Sequence, residues 1–220
     1  MLLSLLNSNY LETIDMGIVK DKRKDLANKY DECLSKSDVV ISSGGASDGI
    51  EDHTQNALKD IGAKCIVWQL AMKPGKPMAI GLLGKKIIFC LPGNPVAAFV
   101  CTKLLIKPLI IKLAGGVNLN PLSIKLPSGF VHNKKTGRAE YLRAKIINED
   151  AKSFIMLHGR KGAGVISSLT GSSITNSSDS SSGSVICAGI DTDALLTSSK
   201  LPPPSVYETL IDNPLPRSLV

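Results

Sequence analysis

The sequence predicts an α/β protein: a three-layer sheet-and-helix domain over residues 1–118, a small all-β domain over 121–170, and a serine-rich tail over 171–220. Three observations predict it. Up to about residue 118, short β-branched runs alternate with stretches of helical period, the pattern of a sheet covered by helices on both faces. Beyond that point strand-like runs follow one another with no helix between them. From Ser167 to Ser184, ten of 18 residues are serine, and Leu-Pro-Pro-Pro follows at 201–204. Such a composition buries too little apolar surface to order itself, so the tail is expected to be weakly ordered.

The elements follow in order. Residues 1–9 read as the end of a helix, and Glu12 to Val19 as a strand. Asp21 is the expected N-cap of a helix over Lys22 to Lys36, with Leu26, Tyr30, Cys33 and Leu34 on its apolar face. Asp38 to Ser43 is a short, nearly continuous β-branched run, typical of a strand buried on both faces. Gly44-Gly45 ends it. A helix is predicted from Glu51 to Ile61, stopped by Gly62, then a strand from Lys64 to Leu70. Met78 to Leu82 and Lys86 to Leu91 form a hairpin through Leu83-Gly84-Lys85. Val96 to Leu113 is a helix kinked by Pro108 and closed by Gly115-Gly116. Leu122 to Val131, Arg138 to Asn148 and Ser153 to His158 are the strands of the second domain.

Composition narrows the function. The net charge is +7, but the lysines are spread out and aromatics make up only 4%. That fits a solvated basic surface, or attraction of a polyanionic small molecule, better than nucleic-acid binding. No apolar run reaches the roughly 18 residues of a membrane helix, and MLLSLL lacks the basic flank and cleavage site of a signal peptide. The five cysteines have no CxxC spacing and no pairing framework, which predicts reduced, buried thiols in a cytoplasmic protein.

Three loops hold residues suited to chemistry, all at or next to strand ends, where ligands of such sheets sit. In SSGGASDGIEDHT (42–54), paired glycines permit close approach and Ser43 and Ser47 offer hydroxyls. The amides opening the next helix favour a phosphate. Asp48, Glu51 and Asp52 serve either as helix-start acids or as ligands of a divalent cation such as Mg²⁺. In Lys73-Pro74-Gly75-Lys76-Pro77, two lysines on a proline-stiffened loop make a cationic clamp for an oxyanion, or else a rigid surface turn. In Leu91-Pro92-Gly93-Asn94-Pro95, Asn94 and Pro95 read as N-cap and N1 residues. Pro92-Gly93 forces a sharp turn before them. The helix start adds partial positive charge. His53, His132 and His158 have no metal spacing and read as structural or surface residues. No Ser-His-Asp set and no activated cysteine is visible, so covalent catalysis is not expected. The three loops together describe a site for a phosphorylated small molecule with a metal ion.

The same residues resemble the molybdopterin molybdenumtransferase family, whose eukaryotic relatives include the C-terminal part of gephyrin. The resemblance runs from Met1 to about Leu169. It rests on MLLSLLNSNYLETIDMGIVKD, SDVVISSGGASDG, AMKPGKP, LPGNPV, LAGG and RAEYLRAKI, in that order and spacing. It implies a molybdopterin-binding α/β domain followed by a small β-barrel-like domain. The reaction would insert molybdenum from molybdate into adenylylated molybdopterin, releasing AMP, with Mg²⁺. Carried over by motif, Asp52, Lys73 and Lys76 are the expected catalytic residues, with Asp52 and Asp21 as Mg²⁺ ligands. Asp21, Ser43, Gly44, Gly45, Ser47, Pro74, Gly75, Pro92, Gly93, Asn94 and Pro95 are the expected substrate-binding set. Relatives are homodimers with two further domains ahead of this region. The resemblance therefore implies that the sheet lacks the strand preceding residue 1, together with the dimer contacts. Ala97 stands where the family usually has serine. The resemblance leaves two alternatives, a molybdopterin adenylyltransferase and a non-catalytic binding or scaffold module.

Overall fold

The computed structural model describes residues 1–44, 53–117, 124–132, 137–150 and 152–158, and the backbone of 173–179 and 182–186. The first part of the chain forms helices α1 (Leu2–Leu6), α2 (Arg23–Lys36) and α3 (His53–Asp60). Its strands are β1 (Val39–Ser43), β2 (Lys64–Trp68), β3 (Met72–Lys73), β4 (Ala79–Leu83) and β5 (Lys86–Leu91). Helices α4 (Pro95–Cys101) and α5 (Lys107–Leu113) follow, joined by a π-helical stretch, Thr102–Ile106. Then come β6 (Ile124–Leu126), β7 (Ala139–Glu149), β8 (Lys152–Leu157), β9 (Ser173–Asp179) and β10 (Ser182–Ile186).

The first sheet has the order β1-β5-β4-β2. Strand β1 lies parallel to β5, while β4 is antiparallel to both β5 and β2. Every residue of Ile87–Leu91 in β5 is buried, which is what a continuous apolar run in a central strand predicts. Alternate side chains serve opposite layers. Ile87, Phe89 and Leu91 join the core under α4, the π stretch and α5. Ile88 and Cys90 join the core under α2 and α3, with Tyr30, Ala57 and Leu58. The helices on both faces follow directly from that division.

Several local expectations change. Residues 12–19 do not form a strand. The Asp15 carboxylate accepts the Gly17 N–H at 2.9 Å, Gly17 takes φ +73°, and this local turn replaces a ladder. Met16 and Val19 lean on the α2 side of the core instead. Asp21 is not the cap of α2: Lys22 holds that position, with no side-chain cap bond. The break at Pro108 takes the form of the π stretch, in which the Lys107 N–H reaches back five residues to the Thr102 carbonyl. Pro108 has no N–H, and a widened turn accommodates the lost bond. Gly62 ends α3 as predicted: its N–H bonds the Lys59 carbonyl at 3.0 Å and the Ala63 N–H bonds Leu58 at 2.9 Å, with Gly62 at φ +74°.

The second sheet has the order β3-β7-β9-β10-β6, with β8 also paired to β7. Two of its strands, β9 and β10, fall in the serine-rich stretch expected to be weakly ordered, so the sheet runs past residue 170 as far as Ile186. Their paired backbones supply main-chain hydrogen bonds that composition does not register. After β6 the chain makes a parallel bridge from Ser128 to Ile155 of β8, with Gly129 N–H to Ile155 O at 2.8 Å and Ile155 N–H to Pro127 O at 2.9 Å. Among the described residues, no helix is long and apolar enough to cross a membrane.

Lys86 at the start of β5 ties the hairpin to α2. Its ammonium donates to the carbonyl oxygens of Leu34 and, at 3.1 Å, Ser37, both at the helix end where carbonyls lack partners. Lys86→Met keeps the stem and removes these charged bonds. It is expected to cost about 1–3 kcal/mol of unfolding free energy in urea titrations, without change in the dependence on denaturant.

Candidate functional site

The register of the first sheet brings the three loops to one edge. Ser42 pairs Cys90, Cys90 pairs Ala79, and Ala79 pairs Trp68, so these four residues form one row across β1, β5, β4 and β2. One step beyond that row stand Ser43, Leu91, Met78 and Gln69. From them lead the loop after β1, the turn at Pro92–Pro95 and the loop of residues 69–78. Because β1, β5 and β2 run the same way, this edge is the carboxyl end of three strands.

The first two loops touch. The Gly44 N–H bonds the Leu91 carbonyl at 3.1 Å. A Cβ on Gly93 would come 3.5 Å from the Gly44 Cα, with no other heavy atom within 4 Å. Ser43 is exposed and Pro92 buried. Gly45, Ser47 and Asp52 lie outside the described residues, as do Asp48 and Glu51.

The turn before α4 is a completed helix cap. Asn94 Oδ1 accepts the N–H groups of Val96 at 3.0 Å and Ala97 at 3.1 Å. The Ala98 N–H bonds the Asn94 carbonyl at 2.9 Å, and Pro95 has no N–H to offer. The first-turn donors that would greet an anion are therefore already taken, and Asn94 and Pro95 are explained as cap residues.

In the lysine loop the Lys76 carbonyl accepts the N–H groups of Leu70 at 2.8 Å and Met78 at 2.9 Å, folding the segment back on itself. The Lys73–Pro74 peptide is cis. Gly75 is buried at φ +116°, and a Cβ there would lie 2.7 Å from Cys101 Sγ and 3.3 Å from Met72. Packing against the helix wall is one physical reason for a glycine here. Burial pushes the Cys101 thiol up to about 12, so it packs as an apolar group and is no nucleophile. Lys76 is half-buried, whereas the Lys73 side chain is 60% exposed.

Sequence reasoning missed the partner of Lys73. Strand β3 runs parallel to the start of β7, pairing Met72 with Ala139 and Lys73 with Glu140. Lys73 Nζ donates to Glu140 Oε1 at 2.7 Å, and His132 Nε2 lies 3.2 Å from Glu140 Oε2. The Lys73 ammonium holds the Glu140 carboxyl below its ordinary range; partial burial opposes this and His132 adds to it. Glu140 lay within RAEYLRAKI, 67 positions from Lys73, and no local spacing joins the two.

Asp21 is exposed, and Arg23 two positions on is anchored on Asp60 (2.6 and 2.5 Å) at the C-terminal end of α3. Among the described residues no three His, Cys, Asp or Glu side chains gather to hold a metal ion.

Two outcomes follow from this geometry. Gly75→Ala must displace Cys101 and strain a left-handed backbone, so it is expected to lower thermal stability by about 1–3 kcal/mol, and Cys101→Ala in the same chain should recover part of that loss. Glu140 has a depressed folded pKa, so its stabilisation is present above the unfolded carboxylate value of about 4.3 and is lost as pH falls through the lower folded value. Glu140→Gln should flatten this acid limb in urea titrations at successive pH values, modestly, because solvent screens the exposed Lys73.

Comparison with known proteins places these features. The family described as "Probable molybdopterin binding domain" matches residues 1–112. A molybdopterin molybdenumtransferase of Haemophilus influenzae is 34% identical over 167 residues, 75% of this chain and 41% of the relative. One from Nostoc is 35% identical over 131 residues, 58% of this chain and 30% of the relative. The molybdenum cofactor synthesis protein cinnamon of Drosophila melanogaster is 33% identical over 147 residues, 65% and 24%. The chain thus spans less than half the length of these curated relatives. Among solved structures, a molybdopterin biosynthesis moeA protein from Pyrococcus horikosii superposes with TM-score 0.60 at 24% identity, over 79% of this chain and 43% of that one. A molybdenum cofactor biosynthesis protein from Pyrococcus furiosus gives 0.58 at 21%, over 79% and 58%. At these identities the superpositions speak for the fold. The α/β sheet whose strand ends gather the glycine, lysine and proline loops lies within the matched region, and the chain belongs to the molybdopterin-binding domain family.

Proposed function

We propose that this chain carries the molybdopterin- and molybdate-handling part of a molybdopterin molybdenumtransferase, which inserts molybdenum from molybdate into adenylylated molybdopterin and releases AMP. One observation supports it above the others: a single row of the sheet delivers the Ser43-Gly44, Lys73–Lys76 and Pro92–Gly93 loops to one edge, in a chain whose curated relatives bear that name.

The chemistry asks for no protein nucleophile. The sulfur atoms of the substrate bind the metal, and the protein's task is to bring two anions together and offset their charge, so positioning and electrostatics dominate. Lys73 and Lys76 supply the cationic charge. The Ser43 and Ser47 hydroxyls and the Gly44, Gly45 and Gly93 backbone line the approach of the pterin phosphate, with Pro74 and Pro92 stiffening the loops. A Mg²⁺ ion would engage the Asp52 carboxylate and neutralise phosphate charge; Asp21 would need to reach it from outside the described cluster. In this reading the small barrel begins near residue 121, and the parallel bridge from Ser128, just after β6, to Ile155 of β8 supports it. The partner substrates are adenylylated molybdopterin and molybdate, and a homodimer is the assembly. Among the described residues Cys33, Cys65, Cys90 and Cys101 form no disulfide, which fits a cytoplasmic location. The contact of Glu140 in β7 with Lys73 favours the transferase over an adenylyltransferase, because it builds the second sheet into the same site.

Lys73→Ala and Lys76→Ala should each reduce molybdate-dependent AMP release from adenylylated molybdopterin about 100- to 1,000-fold, on the scale of losing one electrostatic contact to a developing charge, about 2.7–4 kcal/mol. Near-normal release by both variants overturns the assignment. Chelation with EDTA should abolish release and Mg²⁺ should restore it; release that persists in EDTA removes the ion from the mechanism.

A further inference from the structure

We propose that Glu140 is a positioning residue for Lys73: the second sheet reaches into the candidate site of the first and fixes where that ammonium stands. The inference rests on the reading of Lys73 as an anion-binding residue and names what holds it there.

A lysine side chain has four rotatable bonds and loses appreciable entropy when ordered. Lys73 is 60% exposed, so packing does not restrain it. Glu140 does. Its side chain is only 15% exposed, and each of its oxygens has a partner: Lys73 Nζ at 2.7 Å and His132 Nε2 at 3.2 Å. The carboxylate cannot swing toward one without loosening the other. Its backbone is fixed as well, because Lys73 and Glu140 are register partners in the β3–β7 ladder and the Ala139 N–H bonds the Ala71 carbonyl at 2.8 Å. An ammonium has three donors. Glu140 Oε1 takes one, which leaves the others for an oxyanion approaching over the exposed side of Lys73.

The negative charge of Glu140 opposes an incoming anion, while its position organises the cation. Glutamine at 140 separates these effects. Its amide oxygen can still accept from Lys73, without the charge. Alanine removes both the charge and the acceptor. A residue that merely staples the two sheets would act on stability and leave binding alone.

The test is molybdate binding to the full chain by calorimetry, with thermal unfolding measured on the same samples. Glu140→Ala should weaken binding roughly tenfold, within the range of coupling between contacting residues. Glu140→Gln should bind at least as tightly as the unaltered chain. Adding Glu140→Ala to Lys73→Ala should change binding by less than about twofold, since a positioning residue has nothing left to position. Loss with Lys73→Ala but none with Glu140→Ala overturns this inference alone. So does a Glu140→Ala loss that persists undiminished in the Lys73→Ala background, or one that Glu140→Gln fails to restore although it unfolds at the normal temperature. No molybdate binding by the unaltered chain, or binding indifferent to Lys73→Ala, overturns the anion-site reading and this inference with it.

Discussion

Strand β5 is buried along Ile87–Leu91 and pairs with β1 on one side and β4 on the other, in opposite directions. Both helical layers and the site edge depend on that placement. Because side chains alternate, one apolar run feeds two cores: Phe89 and Leu91 on one face, Ile88 and Cys90 on the other. Because β1 and β5 run parallel and in register, Ser43 and Leu91 end together. A one-residue slip in that pairing would reverse both faces and would separate the loops that leave the strands. The burial that stabilises the domain therefore also sets the geometry of its functional edge.

The loops at that edge are built more tightly than their glycines and prolines suggest. The Asn94 side-chain oxygen accepts from two amides of α4, so the first-turn N–H groups of that helix are already paired. Gly75 is required by Cys101 beneath it, and the Gly44 N–H is tied to the Leu91 carbonyl at 3.1 Å. These contacts hold the loops in place before any ligand arrives. Such preorganisation is what electrostatic catalysis needs, since charge placed in advance costs no reorganisation during reaction.

The two sheets meet where the chemistry is expected. A two-residue strand, β3, leaves the first sheet's connection and pairs with the start of β7, and this short ladder places Glu140 against Lys73. The second sheet is thereby joined to the candidate site. His132, which has no metal-type spacing in the sequence, takes its place as the other partner of the same carboxylate.

Much of the fold was legible in the sequence, because the signals behind it are local. The alternation of elements, the hairpin of β4 and β5, the stop at Gly62 and the cap at Asn94 each depend on neighbouring residues, whereas the burial on both faces expected of Asp38–Ser43 fell to β5, because β1 lies at the edge of the sheet. What failed locally failed through short-range competition. Asp15 turned an apparent strand at 12–19, and Lys22 displaced Asp21 as the cap. The hairpin of β9 and β10 was hidden, since main-chain pairing can order a serine-rich segment whose side chains offer little burial. Only the tertiary structure decided that the loops share one row, that Gly75 answers to Cys101, and that Lys73 answers to Glu140. Those are contacts between residues 26 to 67 positions apart, set by strand register and packing, and no periodicity in the chain encodes them.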